Sequence, residues 1–312
     1  MCGCGVRSLR YLAEADADLV VANDANSEYA DVISGNLERA GREKKTWAVK
    51  HMEANRLLTE CFLERDYFDL IDVDSFGSES SYLRAAMCAV KFDGLLYVTS
   101  TDGYSSGGHQ PQQMLIGGAV REASVLGYHV VPLFSYYSYH GPVFRVMLQV
   151  RRGRSHIERH YSFISYCVQC GNSRAFSWDE LGRMKCSCKD VPSSLVVSGP
   201  LWTGPLHSSS FLSEMLDLAE QWGWAGNGGG EHIEKLLKTT IGESDPVLPS
   251  GYIKVDEIAS RAKVNPPPIN TLMCALDKEG YVASRSHIAP NAIKTNCPMV
   301  DCVKLVKELQ WC

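Results

Sequence analysis

From Asp18 to about Val150, short apolar runs rich in β-branched residues alternate with stretches of helical periodicity. That order is the signature of βαβ units laid on a parallel sheet, and it makes the first half of the chain α/β. The runs that read as strands are Leu19–Ala22, Thr46–His51, Phe68–Val73, Gly94–Thr99, His129–Ser135 and Val143–Val150. Helices are expected near Val6–Ala13, Ser27–Ala40, Ser80–Val90 and Gln113–Leu126. The link from Tyr136 to Pro142 is too short for a crossover, so the last two strands should pair antiparallel. After Arg151 the pattern changes to a stretch rich in Cys and Ser, a Gly-rich spacer at Gly223–Gly230, and a helical tail carrying Pro266-Pro267-Pro268. No internal repeat is visible.

A chain of 312 residues with 45% apolar and 21% charged residues has room for two domains with separate cores, expected here at 1–152 and 153–312. No apolar run approaches the roughly 20 residues that a spanning helix needs. Met1 is followed by Cys-Gly-Cys-Gly rather than by a charged and then an apolar segment, so neither export nor membrane insertion is indicated. We expect an intracellular, reducing compartment, a chain without a targeting segment, and a monomer. A net charge of −5 argues against a protein that coats nucleic acid indiscriminately, since such binding draws on many Lys and Arg. Any RNA contact must come from local patches.

The strongest chemical signal lies in the cysteines. Four of the twelve form two tight pairs, Cys167-x-x-Cys170 and Cys186-x-Cys188, separated by 15 residues. Two short pairs on two turns suit four thiolates around a structural Zn²⁺, with no open position left for catalysis. A disulfide pair is the alternative, and a reducing compartment disfavours it. The run Arg151-Arg152-Gly153-Arg154, with Arg183, Lys185 and Lys189, offers phosphate contacts or simply a solvated surface.

Gly3 to Arg7 runs straight into a helix, a geometry that lets backbone N–H groups approach a cofactor, although the same glycines would serve a plain tight turn. Asp24 follows the next strand, where an acid binds a ribose hydroxyl pair in a Rossmann-like site. That pairing suits NAD and S-adenosylmethionine equally. Asp72-Val73-Asp74-Ser75-Phe76-Gly77 is more discriminating, because it stands at the carboxyl end of a strand and faces whatever the cofactor faces. Hydride transfer has no evident use for such a turn. An exocyclic ring amine does: its lone pair is delocalised until an acceptor engages its N–H, as Asp74 is placed to do, while Phe76 stacks on the base. The bland alternative makes Asp74 a helix cap and Phe76 a core residue.

In the tail, Asp256–Ala262, a Pro-marked turn, Ile269–Glu279 and then Tyr281–Ser284 follow a winged-helix order. Arg285, His287 and Lys294 are then candidates for RNA contact, although winged helices also serve as protein-interaction modules.

The order Cys-Gly-Cys-Gly-Val-Arg-Ser-Leu-Arg, Ala22-Asn23-Asp24-Ala25-Asn26, the Asp72–Ser78 segment and Thr99-Ser100-Thr101-Asp102 resembles the tRNA guanine-N2 dimethyltransferase family. So do Gly199-Pro200-Leu201-Trp202-Thr203-Gly204-Pro205-Leu206, Ser284-Arg285-Ser286-His287-Ile288 and Ala292-Ile293-Lys294-Thr295-Asn296, so the match covers nearly the whole chain. The resemblance implies a class I methyltransferase fold, S-adenosylmethionine as methyl donor and a guanine of tRNA as acceptor. It places the cofactor at Gly3, Gly5, Arg7, Asp24, Glu53 and Ala54, and the amine-activating acid at Asp74. Two departures stand out. Ser75, which replaces the Pro usual after the acid, keeps a backbone carbonyl available to the amine beside Asp74 and Phe76 but gives up turn rigidity. Met1 stands where the family's first strand should be ending, so that strand should be largely missing. The expected architecture is therefore a Rossmann-like methyltransferase domain followed by an α+β domain with a zinc ribbon and a winged-helix-like part. A tRNA-binding paralogue without methyl transfer is the competing reading. A nicotinamide oxidoreductase leaves both the acid turn and the four cysteines unexplained.

Overall fold

The computed structural model describes residues 1–41, 46–78, 80–101, 111–138, 141, 143–153, 160–186, 188, 195–226 and 231–309. Helix α1 (Val6–Ala13) follows Gly5, whose φ of 78° is left-handed. A Cβ at Gly5 would come within 3.2 Å of Ile33 Cγ2, so glycine lets α1 lie against α2 (Ala30–Glu38). Leu12, Ala22, Ile33 and Leu37 close a small core over two parallel strands, β1 (Val20–Asn23) and β2 (Trp47–Lys50). The helix expected over Ser27–Ala40 divides, because the Asn26 side chain accepts the Glu28 N–H at 3.0 Å and caps a 3-10 turn, Ser27–Tyr29, ahead of α2.

Strands β3 (Phe68–Asp74), β4 (Val90–Ser100), β5 (Tyr128–Ser138) and β6 (Val143–Arg152) form a second sheet in the order β3-β4-β6-β5. β3 and β4 run parallel, while β6 is antiparallel to both its neighbours, as the short link between β5 and β6 requires. Helices α3 (Ala54–Glu64), α4 (Ser80–Ala89) and α5 (Pro111–Val125) pack Leu58, Met87 and Ile116 against Val73, Leu96, Val98 and Leu148. Each such side chain withdrawn from water contributes about 1.5–3 kcal/mol. The two sheets share no ladder among the described residues. Side chains link the two sheets instead: Arg7 and Tyr11 of α1, which packs beside β1, both reach Asp72 on β3.

The second half opens with an antiparallel sheet of β7 (Tyr161–Cys167), β8 (Ser173–Phe176) and β9 (Leu195–Trp202), in the order β8-β7-β9. β9 lies on α5, where a Cβ on Gly117 would stand 3.2 Å from Leu201 Cα, and Trp202 and Leu206 enter the main core. The halves expected to divide at residue 152 therefore share packing. Helices α6 (Ser209–Gln221) and α7 (Glu231–Glu243) follow; the sequence reading left both unplaced. The winged-helix order holds in β10 (Ile253–Lys254), α8 (Val255–Ala262), α9 (Ile269–Lys278), β11 (Ala283–Arg285) and β12 (Ala292–Thr295), closed by α10 (Met299–Glu308). Its sheet runs β10-β12-β11 around a core of Ile258, Leu272, Leu276, Ile293 and Val306. No helix among the described residues is long and apolar enough to cross a membrane.

Candidate active site

The carboxyl ends of β1, β2 and β3 carry the groups that the sequence singles out. Asp24, just past β1, accepts the Gly3 N–H at 2.9 Å and the Asn26 N–H at 3.0 Å. Partial burial would raise its pKa, but these N–H donors outweigh it and hold the carboxyl below the usual carboxylate range. The Met1 ammonium stands 3.3 Å from Asp24 Oδ2 as a third partner, which leaves about one of the roughly four lone-pair positions of the carboxylate unused. Asn23 bonds both the N–H and the carbonyl of Met52, at 3.0 and 2.9 Å, which ties the end of β1 to the turn holding Glu53 and Ala54. Glu53 caps α3, accepting the N–H groups of Asn55 and Arg56 at 3.0 and 2.9 Å.

Arg7 extends from α1 to β3. One guanidinium nitrogen meets both oxygens of Asp72, at 2.6 and 2.7 Å, and the other bonds Asp74. Tyr11, one turn later on α1, donates its hydroxyl to Asp72 at 2.8 Å. Burial raises the pKa of Asp72, with Arg7 opposing it, and burial beside Asp72 likewise raises Tyr11. Asp74 ends β3 and stays partly exposed, whereas Ser75 is buried with no partner for its hydroxyl among the described residues. Gly77 then turns at φ 75° and is pinned to the end of β4: its N–H donates to Thr101 Oγ1 at 2.7 Å, and its carbonyl accepts the Thr101 N–H at 3.0 Å. The turn presents Phe76 99% exposed. Phe76 is thus not a core residue, and Asp74 does not cap α4, which begins at Ser80. Asp102, Arg154 and Lys189 lie outside the described residues.

The four cysteines converge. Cys167 and Cys188 sulfurs stand 3.7 Å apart, Cys170 and Cys186 sulfurs 3.4 Å, and all four fall within 4.8 Å of one another. Tetrahedral thiolates at about 2.3 Å from Zn²⁺ would lie about 3.8 Å apart, so the donor set fits that ion. The Cys170 N–H leads the influences that bring the Cys167 thiol down to about 6, which favours the thiolate a metal needs. Arg261 of α8 clamps this turn, donating to the Gln169 carbonyl at 2.9 Å and the Tyr166 hydroxyl at 2.7 Å.

Two of the three residues expected to touch RNA are corrected here. Lys294 is 1% exposed and the His287 side chain is fully buried, so neither can reach a phosphate. Both serve Glu243 of α7 instead. Glu243 Oε2 lies 2.8 Å from His287 Nδ1, 3.3 Å from Lys294 Nζ and 3.2 Å from His207 Nε2. His207 Nδ1 accepts the Ser135 N–H of β5 at 3.2 Å, so the neutral ring carries its proton on Nε2, facing Glu243. Burial lowers His207 to about 4 against the pull of Glu243; burial pushes Glu243 up, but its three partners hold it far below the carboxylate range. The two imidazoles and the carboxylate are close enough to share a cation, but the Lys294 ammonium beside the same oxygen would repel one. Arg285 alone of the three remains half-exposed at the surface, donating to Asn270 Oδ1 at 2.8 Å. Nothing in the order of residues marked Glu243 as the centre of this cluster.

The chain matches the model of the N2,N2-dimethylguanosine tRNA methyltransferase family over residues 1–115 and 111–307. Among similar proteins, the tRNA (guanine(26)-N(2))-dimethyltransferase of Aeropyrum pernix is 29% identical over 98% of this chain and 80% of its own length. The enzyme of the same name from Saccharolobus solfataricus is 28% identical over 98% of this chain and 82% of its own. In fold, the chain is similar to Trm1 from Pyrococcus horikoshii, solved with S-adenosyl-L-methionine, with a TM-score of 0.79 and 24% identity over 97% of this chain and 85% of that one.

Proposed function

The chain belongs to the N2,N2-dimethylguanosine tRNA methyltransferase family, and from that premise we propose that Asp74 and Phe76 carry a transfer of methyl groups from S-adenosylmethionine to the exocyclic N2 of a guanine in tRNA. The observation that supports this most is the Asp74–Gly77 turn: an aromatic ring 99% exposed at the carboxyl edge of β3, two residues from an acid. An exposed ring loses the benefit of burial, and a nucleobase swung out of the RNA would cover it, a stack worth roughly 1–3 kcal/mol. Asp74 would accept an N–H of the guanine amine, returning lone-pair density to nitrogen as its new N–C bond replaces the S–C bond of the sulfonium, which leaves as a neutral thioether, and would receive the proton that the amine gives up. S-adenosylmethionine supplies the methyl on a sulfonium. Asp24, which also faces the Met1 ammonium, would accept a ribose hydroxyl of that donor, and Gly3, Gly5, Glu53 and Ala54 would shape the turns around it. Arg7 fixes the Asp74 carboxylate from α1 rather than meeting the cofactor directly. The same hold favours the competing reading, a tRNA-binding protein without methyl transfer, if Arg7 never releases the acceptor oxygen. The four cysteines hold a structural Zn²⁺ in a reducing compartment, and the protein acts as a monomer. Replacing Asp74 with Asn keeps the shape and removes the charge: methylation should slow by roughly 100-fold while tRNA affinity stays near wild type. An unchanged rate would remove Asp74 from the chemistry.

A further inference from the structure

Helix α7, helix α9 and strand β11 border an open, shallow groove of about 550 Å³ beside the winged-helix part. Its rim carries Lys235, Lys238 and Arg285 against one carboxylate, Glu234, in a chain whose net charge is −5. The three cations outnumber the one carboxylate of the lining, although Glu220 also lies near enough to act on Lys238. Lys235 is exposed and has no ion-pair partner among the described residues. Lys238 pairs with Glu234 one turn earlier, and an exposed pair of this kind is a weak competitor for a phosphate. Arg285 spends one donor on Asn270 and keeps the rest of its fork. Met273 contributes an apolar floor, which suits a ribose face better than a free inorganic ion.

We propose that this groove binds the sugar-phosphate backbone of the tRNA, an inference that rests on the tRNA methyltransferase reading. Its placement supports the assignment. Gly242 of α7 allows β11 to approach so closely that a Cβ there would stand 2.9 Å from Ser284 Oγ. Ser284 lies directly opposite Lys294 in the β11–β12 ladder, so the groove floor rests on the buried cluster around Glu243. His207 of that cluster accepts the Ser135 N–H on β5, in the sheet that also carries Asp74. A backbone held in the groove is thereby held at a fixed offset from the acid turn, which is what an enzyme choosing one guanine in a large RNA needs.

The test is the affinity for unmodified tRNA, measured at several salt concentrations, for the full chain and its Lys235→Glu/Arg285→Glu variant. Both positions reach the surface, so a thermal melt matching wild type is expected, and Lys235→Gln/Arg285→Gln replaces the variant if it fails to fold. The groove predicts at least a tenfold loss of affinity and a salt dependence shallower by about one unit of log–log slope for each lost contact. Wild-type affinity and slope in a folded variant would overturn the groove alone. Absence of tRNA binding by the wild-type protein would overturn the methyltransferase reading and the groove with it.

Discussion

Lys294 shows why single residues mislead when read without neighbours. A lysine beside Asn and Thr in a wing is ordinarily solvated, since lysines are almost never buried unless paired. Its partner Glu243 sits on a helix that no motif announces, and the pairing exists only in three dimensions. Phe76 is the opposite case, because the residue types of the acid turn already pointed to an acceptor and a stacking ring, and the structure leaves that ring in the open. The cluster around Glu243 makes a prediction about pH. The unfolded chain protonates His207 from about 6.5 downward, whereas the folded protein resists until about 4. Stability therefore falls as pH drops through that window, by about 1.4 kcal/mol per unit and about 3 kcal/mol in all, and loss of the Glu243 charge adds to it at lower pH. Thermal melts from pH 7.5 to 4 should show this decline, and His207→Gln should flatten its upper part. A variant whose decline between pH 6.5 and 5 matches wild type would exclude His207 as the source.

At the scale of elements, the cysteine spacing was sufficient for the convergence of four thiols on one turn, a donor set that suits zinc. The spacing could not show the clamp that joins that turn to the winged helix. Gly171, at φ 76°, leaves room for the Arg261 guanidinium, which a Cβ would meet at 2.4 Å from Nε. Gly171→Ala should therefore displace Arg261 and destabilise the second half by about 1–3 kcal/mol, combining backbone strain with lost hydrogen bonds; calorimetry of the purified variant checks it, and an unchanged melt would show the clamp to be incidental. Elemental analysis should find one zinc per chain, and Cys186→Ser should release it and unfold the ribbon locally, because structural zinc supplies folding free energy directly. Protein without zinc, folded as well as wild type, would contradict this. Helices α6 and α7 are not legible in residue order because a Gly-rich spacer interrupts their periodicity, whereas the strands of the first half stand out as β-branched runs between turn residues.

For the whole molecule, the alternation of strands and helices was enough to give an α/β half and an antiparallel pair at its end. It could not give the shared packing, in which Trp202 and Leu206 of the second half complete the core of the first. That sharing joins the sheet bearing Asp74, the segment bearing His207 and the helix bearing Lys235 and Glu243 in one continuous support, so the proposed chemistry and the proposed RNA groove would stand on the same frame. Arg7 and Tyr11 tie the helix that follows the Gly3–Gly5 turn to Asp72 and Asp74, so both turns lean on the same few side chains. The central claim is that a guanine amine is methylated at the Asp74 turn. Nucleoside mass spectrometry of unmodified tRNA incubated with the protein and S-adenosylmethionine decides it. The predicted result is N2-methylated guanosine with wild-type protein and at least a 100-fold slower appearance with Asp74→Ala at unchanged tRNA affinity; equal methylation by the two proteins would contradict the account.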